Sequence, residues 1–209
     1  ANMAGTLLLT GFEPFDKWEV NPSWEVARRL DDESIGGLRV QGRRLPVSWE
    51  STWQALKDYI DEVNPDAILM LGLAGRRDYI AVESQGLNMC KPMPDNEGKQ
   101  PPSVHIDERG DEAMGSTLPV AEIVQSIQEL GLPVQVSDDA GGFLCNFALY
   151  KAVAWARAER PDMPVGFIHV PLLREAAEQV GLSLEEMGSA VTAAIMAIAE
   201  ALQRREVAV

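Results

Sequence analysis

The sequence predicts an α/β fold, a three-layer α/β/α sandwich around a mixed, mostly parallel central sheet, and three observations carry that prediction. Residues 6–10, 67–72 and 165–170 are short unbroken apolar runs, as strands buried on both faces require. Segments of helical period lie between them, at 49–63, 120–130 and 143–158. Gly, Pro and Asn punctuate the joints. Strands that alternate with helices close into a sheet covered on both faces.

In chain order, residues 6–10 read as the first strand, broken by Gly11. Asn21 can cap a helix over 22–30, with Pro22 in its first turn. Residues 38–47 alternate enough for a strand, and 49–63 form a helix stopped by Asn64-Pro65-Asp66. After the strand at 67–72, residues 79–88 are extended. The stretch 91–109 is rich in Pro, Asp and Gly and poor in apolar residues, and reads as a long surface excursion. A helix over 120–130, a strand over 133–137 and a turn at 138–142 precede the amphipathic helix at 143–158. Pro171 ends the strand at 165–170, and 184–204 is the last helix, with basic residues in its final turn as the macrodipole favours.

The 209 residues, 46% hydrophobic, suffice for one core, and the whole chain, 1–209, reads as one domain. A net charge of −14 repels phosphate backbones and anionic lipid, which argues against nucleic-acid and membrane partners. No apolar run reaches the ~20 residues a membrane helix needs. The only cysteines are Cys90 and Cys145, too few for a disulfide scaffold, and together with the lack of a secretory signal they point to the reducing cytoplasm. Ala1-Asn2-Met3 reads as a short remnant ahead of the native start.

Sites in open α/β sheets form at the carboxyl ends of strands. Cys145 falls in the first turn of a helix, where the partial positive charge favours thiolate, the nucleophilic form. The Asp139-Ala140-Gly141-Gly142 turn leaves N–H groups for an oxyanion. A buried, inert thiol is the competing reading. His169 lies inside an apolar strand, where an imidazole needs a hydrogen bond. It is either a general base or a core His satisfied by a carbonyl. Glu83 stands on a stretch with few charges and would serve either to orient that imidazole or as an ordinary strand-face carboxylate. Cys90 and His105 carry no sign of activation. No metal-ligand spacing, dinucleotide fingerprint or phosphate loop occurs, so no cofactor and no metal are expected. The Gly72–Arg77 turn, with Arg76 and Arg77, offers at most a weak anion site.

Four blocks then resemble one family. They are Thr10-Gly11-Phe12-Glu13-Pro14-Phe15 followed by Asn21-Pro22-Ser23-Trp24-Glu25; Pro94-Asp95-Asn96-Glu97-Gly98 with Gln100-Pro101; residues 137–150 around Cys145-Asn146; and Gly166-Phe167-Ile168-His169-Val170-Pro171. In order and spacing they resemble the pyrrolidone-carboxylate peptidases, or pyroglutamyl peptidases I. The resemblance implies a phosphorylase/hydrolase-like fold, a cytoplasmic cysteine peptidase without cofactor, often a homotetramer, acting on peptides with an N-terminal pyroglutamyl residue. It implies a triad of Cys145, His169 and Glu83. It also implies a lactam pocket walled by Phe12, Phe15 and Phe143, with Leu144, Asn21 and Leu73 as further substrate-binding positions. The chain departs from the family pattern at Leu73, where many relatives have Gln, and at Ser84, where Arg usually follows the triad Glu. Pro92 and Met93 occupy a region that is often basic. A homologue that binds pyroglutamyl peptides with weakened catalysis is the alternative these departures suggest. A phosphate or nucleoside enzyme using Arg76 and Arg77 is a more distant one.

Overall fold

The computed structural model describes residues 5–177 and 181–208. In chain order the elements are β1 (Gly5–Phe12), α1 (Pro22–Leu30), β2 (Ser34–Ile35), β3 (Leu38–Leu45), α2 (Thr52–Val63), β4 (Ala67–Leu73), β5 (Ile80–Glu83), β6 (Gln85–Leu87), β7 (Ala113–Gly115), α3 (Val120–Glu129), β8 (Val134–Ser137), α4 (Leu144–Glu159), β9 (Val165–Val170) and α5 (Leu184–Ala208). Seven strands form one sheet in the order β2-β3-β1-β4-β9-β5-β8. The centre, β3-β1-β4-β9, is parallel. β5 turns the direction, antiparallel to β9 and parallel to β8. The sheet is thus mixed and mostly parallel, with helices on both faces. Residues 1–3, read from the sequence as a remnant, lie outside the described residues.

Strand β4 shows why the chain builds this sheet. All seven of its residues are buried, and successive side chains feed opposite cores. Ala67, Leu69 and Leu71 join the core under α1, α3 and α5, whereas Ile68 and Met70 join the core under α2 and α4.

Two expectations are corrected. Gly11 does not break β1, which runs on through Phe12. A side chain at Gly11 would meet the backbone of Ser23 at 2.5 Å, so the glycine admits the first turn of α1 against the strand. The Ser23 hydroxyl accepts from the N–H of Phe12 (3.0 Å) and locks that approach. The second correction concerns β5. The sequence places Glu83 with the other candidates at the carboxyl ends of parallel strands. Because β5 runs against β9, its last residue pairs with Phe167, one pleat deeper than His169. The extended stretch 79–88 is split into β5 and β6, and the short β2 and β7 carry too few residues to show a period and were not foreseen.

Residues 91–109 contain neither helix nor strand, as their composition suggests. The excursion is nevertheless anchored. Buried Asp95 accepts from the backbone N–H groups of Trp49, Glu97 and Lys99, each at 2.9 Å. Burial alone would push this carboxyl up, but those hydrogen bonds outweigh it and hold it below its ordinary value. Asn96 Nδ2 then donates to the carbonyl of Pro14 (2.9 Å), which ties the excursion to the segment carrying Phe12 and Phe15.

Candidate active site

Strand register brings His169 and Glu83 together. His169 pairs with Ala81 and Phe167 with Glu83, so all four side chains share one sheet face. Diagonal neighbours on such a face are ~7–8 Å apart, within reach of long side chains. His169 Nδ1 lies 2.9 Å from Glu83 Oε2, in a nearly dry setting: Glu83 is 0% and His169 4% exposed. Burial would push the Glu83 carboxyl up, but the hydrogen bonds from His169 and Arg77 outweigh it and hold it below the usual carboxylate range. An ionised acceptor at Nδ1 favours the proton there, so the neutral ring would carry its free lone pair on Nε2.

Cys145 reaches the same place from the helix side. Phe143 precedes the first turn of α4, and no side chain caps that terminus. The first helical bond runs from Phe147 N–H to the Phe143 carbonyl, so the N–H groups of Leu144 and Cys145 have no intrahelical partner. Gly72 admits the thiol to the sheet. A Cβ there would lie 2.5 Å from Cys145 Sγ, so the sulfur fills the space a side chain would take. Gly72 is the register partner of His169. The sulfur therefore lies about one strand spacing, ~5 Å, from the base of the imidazole. Burial and then the Glu83 charge push the Cys145 thiol well above its ordinary value. The sequence expects free N–H groups throughout residues 139–142. Two of these are engaged, the Asp139 N–H with Ser137 Oγ (3.3 Å) and the Gly141 N–H with Asp139 Oδ1 (2.9 Å), and further open donors sit at the helix start.

The remaining candidates fall around this line. Phe12 is buried in the core under α2 and α4, while Phe15 and Phe143 are half-buried beside it. The Phe15 and Phe143 rings stand 6.0 Å apart at 44°, touching rather than framing an open slot. Leu144 and Leu73 are buried. The Asn21 amide is engaged within its own segment. Its Oδ1 accepts from the Ser23 N–H (3.1 Å) and hydroxyl (2.7 Å), and its Nδ2 donates to the Glu13 carbonyl (3.2 Å). Asn21 thus shapes the loop that carries Phe15.

Three residues escape a linear reading. Trp49 backs Phe143 edge-on at 5.5 Å and is pinned by its indole N–H to the Met93 carbonyl (2.9 Å). Gly72 is recognisable only once its strand partner is known. Arg77 is not a free anion site: Nη1 donates to Glu83 Oε2 (3.0 Å) and Nη2 to the Asp139 carbonyl (2.7 Å). The signal for Arg77 was present, because a buried Glu on an uncharged stretch demands a cation. Cys90 is buried, and burial pushes its thiol up, as an inert core residue requires.

A thiol at a helix start, an imidazole and a carboxylate on one face of an α/β sandwich are the equipment of a cysteine hydrolase. The pyroglutamyl peptidase family matches residues 5–201. A pyrrolidone-carboxylate peptidase 2 from Photorhabdus laumondii is 37% identical over 203 residues, 96% of this chain and 93% of that one. A pyrrolidone-carboxylate peptidase from Bacillus cereus is 37% identical over 91% of each chain. Among solved structures, pyrrolidone carboxyl peptidase from Thermococcus litoralis superposes with a TM-score of 0.92 at 32% identity, covering 96% of both chains. Pyroglutamyl peptidase I from Bacillus amyloliquefaciens gives 0.90 at 34% identity, covering 94% of this chain and 97% of that one. The chain belongs to the pyroglutamyl peptidase family, and it is a cysteine-type peptidase.

Proposed function

We propose that the protein removes an N-terminal pyroglutamyl residue from peptides by acyl transfer to Cys145. His169 Nε2 takes the thiol proton as Sγ attacks the carbonyl that links pyroglutamate to the next residue. The N–H groups at the start of α4 receive the developing oxyanion. The C–N bond breaks, and His169 returns the proton to the departing amine. Water, deprotonated by His169, then opens the thioester and releases pyroglutamate. Glu83 keeps the proton on Nδ1 and offsets the imidazolium charge.

The observation that carries this reading is the seating of Cys145 Sγ over Gly72, the strand partner of a His already held by Glu83. The raised thiol accords with it, since attack and proton transfer then occur together. The alternative of a binding homologue with weakened catalysis draws in part on Ser84, which leaves Glu83 without its usual neighbour. Arg77 supplies a cation from the other side.

The lactam is flat and uncharged, which suits apolar rings, while an ordinary ammonium terminus would lose its hydration there. A planar guest stacked on both rings needs them ~7 Å apart. Phe143 is fixed by Trp49 and by the helix start, so Phe15, on the segment between β1 and α1, is the ring that yields. We further propose one catalytic domain, a cytoplasmic location, consistent with two free thiols, and the homotetramer the family resemblance implies. Light scattering of the purified protein tests the last. Release of a chromophore from a pyroglutamyl amide, before and after alkylation with iodoacetamide, tests the activity. Alkylation should abolish turnover, and undiminished release would sink the assignment.

A further inference from the structure

We propose that Arg77 is a positioning residue of this site, because one guanidinium ties the carboxylate that holds His169 to the turn that delivers Cys145. The inference rests on the peptidase reading above and extends it to a residue that the triad does not include.

The geometry is specific. Arg77 lies in the short connection between β4, which carries Gly72, and β5, which carries Glu83. Its two terminal nitrogens diverge. Nη1 reaches Glu83 Oε2 at 3.0 Å, and Nη2 reaches the Asp139 carbonyl at 2.7 Å, with the Ser137 hydroxyl at 3.4 Å. Ser137 is the strand partner of Glu83, and its hydroxyl donates to the same Asp139 carbonyl (3.1 Å). Asp139 opens the turn that runs through Gly141 and Gly142 into the first turn of α4. Only a planar fork with several donors spans both targets, and a lysine ammonium has no such reach.

Oε2 is the shared acceptor. It receives both Arg77 Nη1 and His169 Nδ1, while the buried Oε1 has no hydrogen-bond partner among the described residues. Glu83 on β5 bonds His169 directly, Arg77 from the β4–β5 turn bonds the same Glu83 oxygen, Cys145 from α4 lies over Gly72, the strand partner of His169, and the Asp139 carboxylate is turned to the Gly141 N–H. Arg77 therefore tempers the field that Glu83 exerts on the imidazole. Without it, the same oxygen binds Nδ1–H more strongly and favours imidazolium, the form that is not a base. The Asp139 turn also loses its tie to the sheet, so the thiol is less well aimed.

The test compares Arg77→Met and Arg77→Lys with the wild type on a pyroglutamyl amide across pH, alongside the downfield proton signal of His169 Nδ1–H. For Arg77→Met, kcat/KM should fall about 10- to 100-fold, mainly in kcat, as misaimed groups do. The acid limb of its kcat/KM profile should move up by about one pH unit, and the Nδ1–H signal should move further downfield. Arg77→Lys keeps the charge but not the span, so its acid limb should stay near the wild type while kcat remains reduced. An Arg77→Met protein with wild-type kcat, an unmoved acid limb and an unmoved Nδ1–H signal overturns the inference. If Arg77→Met does not fold, wild-type kcat in Arg77→Lys overturns it equally. The proton signal needs no turnover, so a wild type that fails to cleave the amide would sink the peptidase reading while still leaving Arg77 open to judgement.

Discussion

The two halves of the site are built differently. Glu83 and His169 stand on adjacent strands, both nearly dry, with a geometry set by register. Phe15 and Phe143 lie outside the strands, half-buried and touching each other. Sheet positions cannot drift without breaking the ladder, whereas a loop ring moves for the price of a few contacts. Under the proposed function, bond-breaking falls to the rigid half and recognition to the adaptable one. Changes in the sheet should therefore appear in kcat and changes in the aromatic pair in KM.

Cys145→Ala should have the largest effect, a loss of turnover of at least about 10³-fold with the fold intact, measured on a pyroglutamyl amide beside a circular dichroism melt. Glu83→Gln comes next. Its amide can present an N–H to Nδ1 and favour the wrong tautomer, so kcat should fall by roughly 10²- to 10⁴-fold with KM little changed. Equal damage to KM would break the division between the halves. Phe15→Ala removes one face of the stack, worth about 1 kcal/mol, so KM should rise roughly fivefold with kcat near the wild type. A fall in kcat alone would mean that the loop shares in the chemistry.

The smallest effect concerns alkaline stability. Burial and the Glu83 charge raise the Cys145 thiol, so the folded protein keeps a proton that the unfolded chain releases. That contribution is fully present below the unfolded thiol value of about 8.5 and is lost as pH rises beyond it. The Tm of Cys145→Ala should accordingly decline less steeply than the wild type above about pH 8.5. Some slope should remain, because burial raises Cys90 too. An identical slope would mean that the sulfur sits in more water than its neighbours suggest.

Much of the fold was legible in the chain. The apolar runs that became β4 and β9 are buried at every position, and a run buried on both faces must be a central strand. Asn21 and Pro22 marked the start of α1, where Asn21 does accept from the Ser23 N–H. The composition of residues 91–109 marked them as irregular. His169 and Cys145 stood out as chemistry, since a His in an apolar strand and a Cys opening a helix each require an explanation, whereas Glu83 joined them only through the family resemblance.

Tertiary structure decided what those residues do to one another. A sequence does not state which strands are neighbours or in which direction they run, because pairing joins residues far apart along the chain. Only the antiparallel step from β9 to β5 puts Glu83 one pleat below His169. Only the pairing of β4 with β9 sets Gly72, over which the thiol is seated, beside His169. The fork of Arg77 likewise has meaning only once β5 and β8 lie side by side. The chain fixed which groups were available through local periodicity and residue chemistry; register and close approach between distant segments decided which of them met.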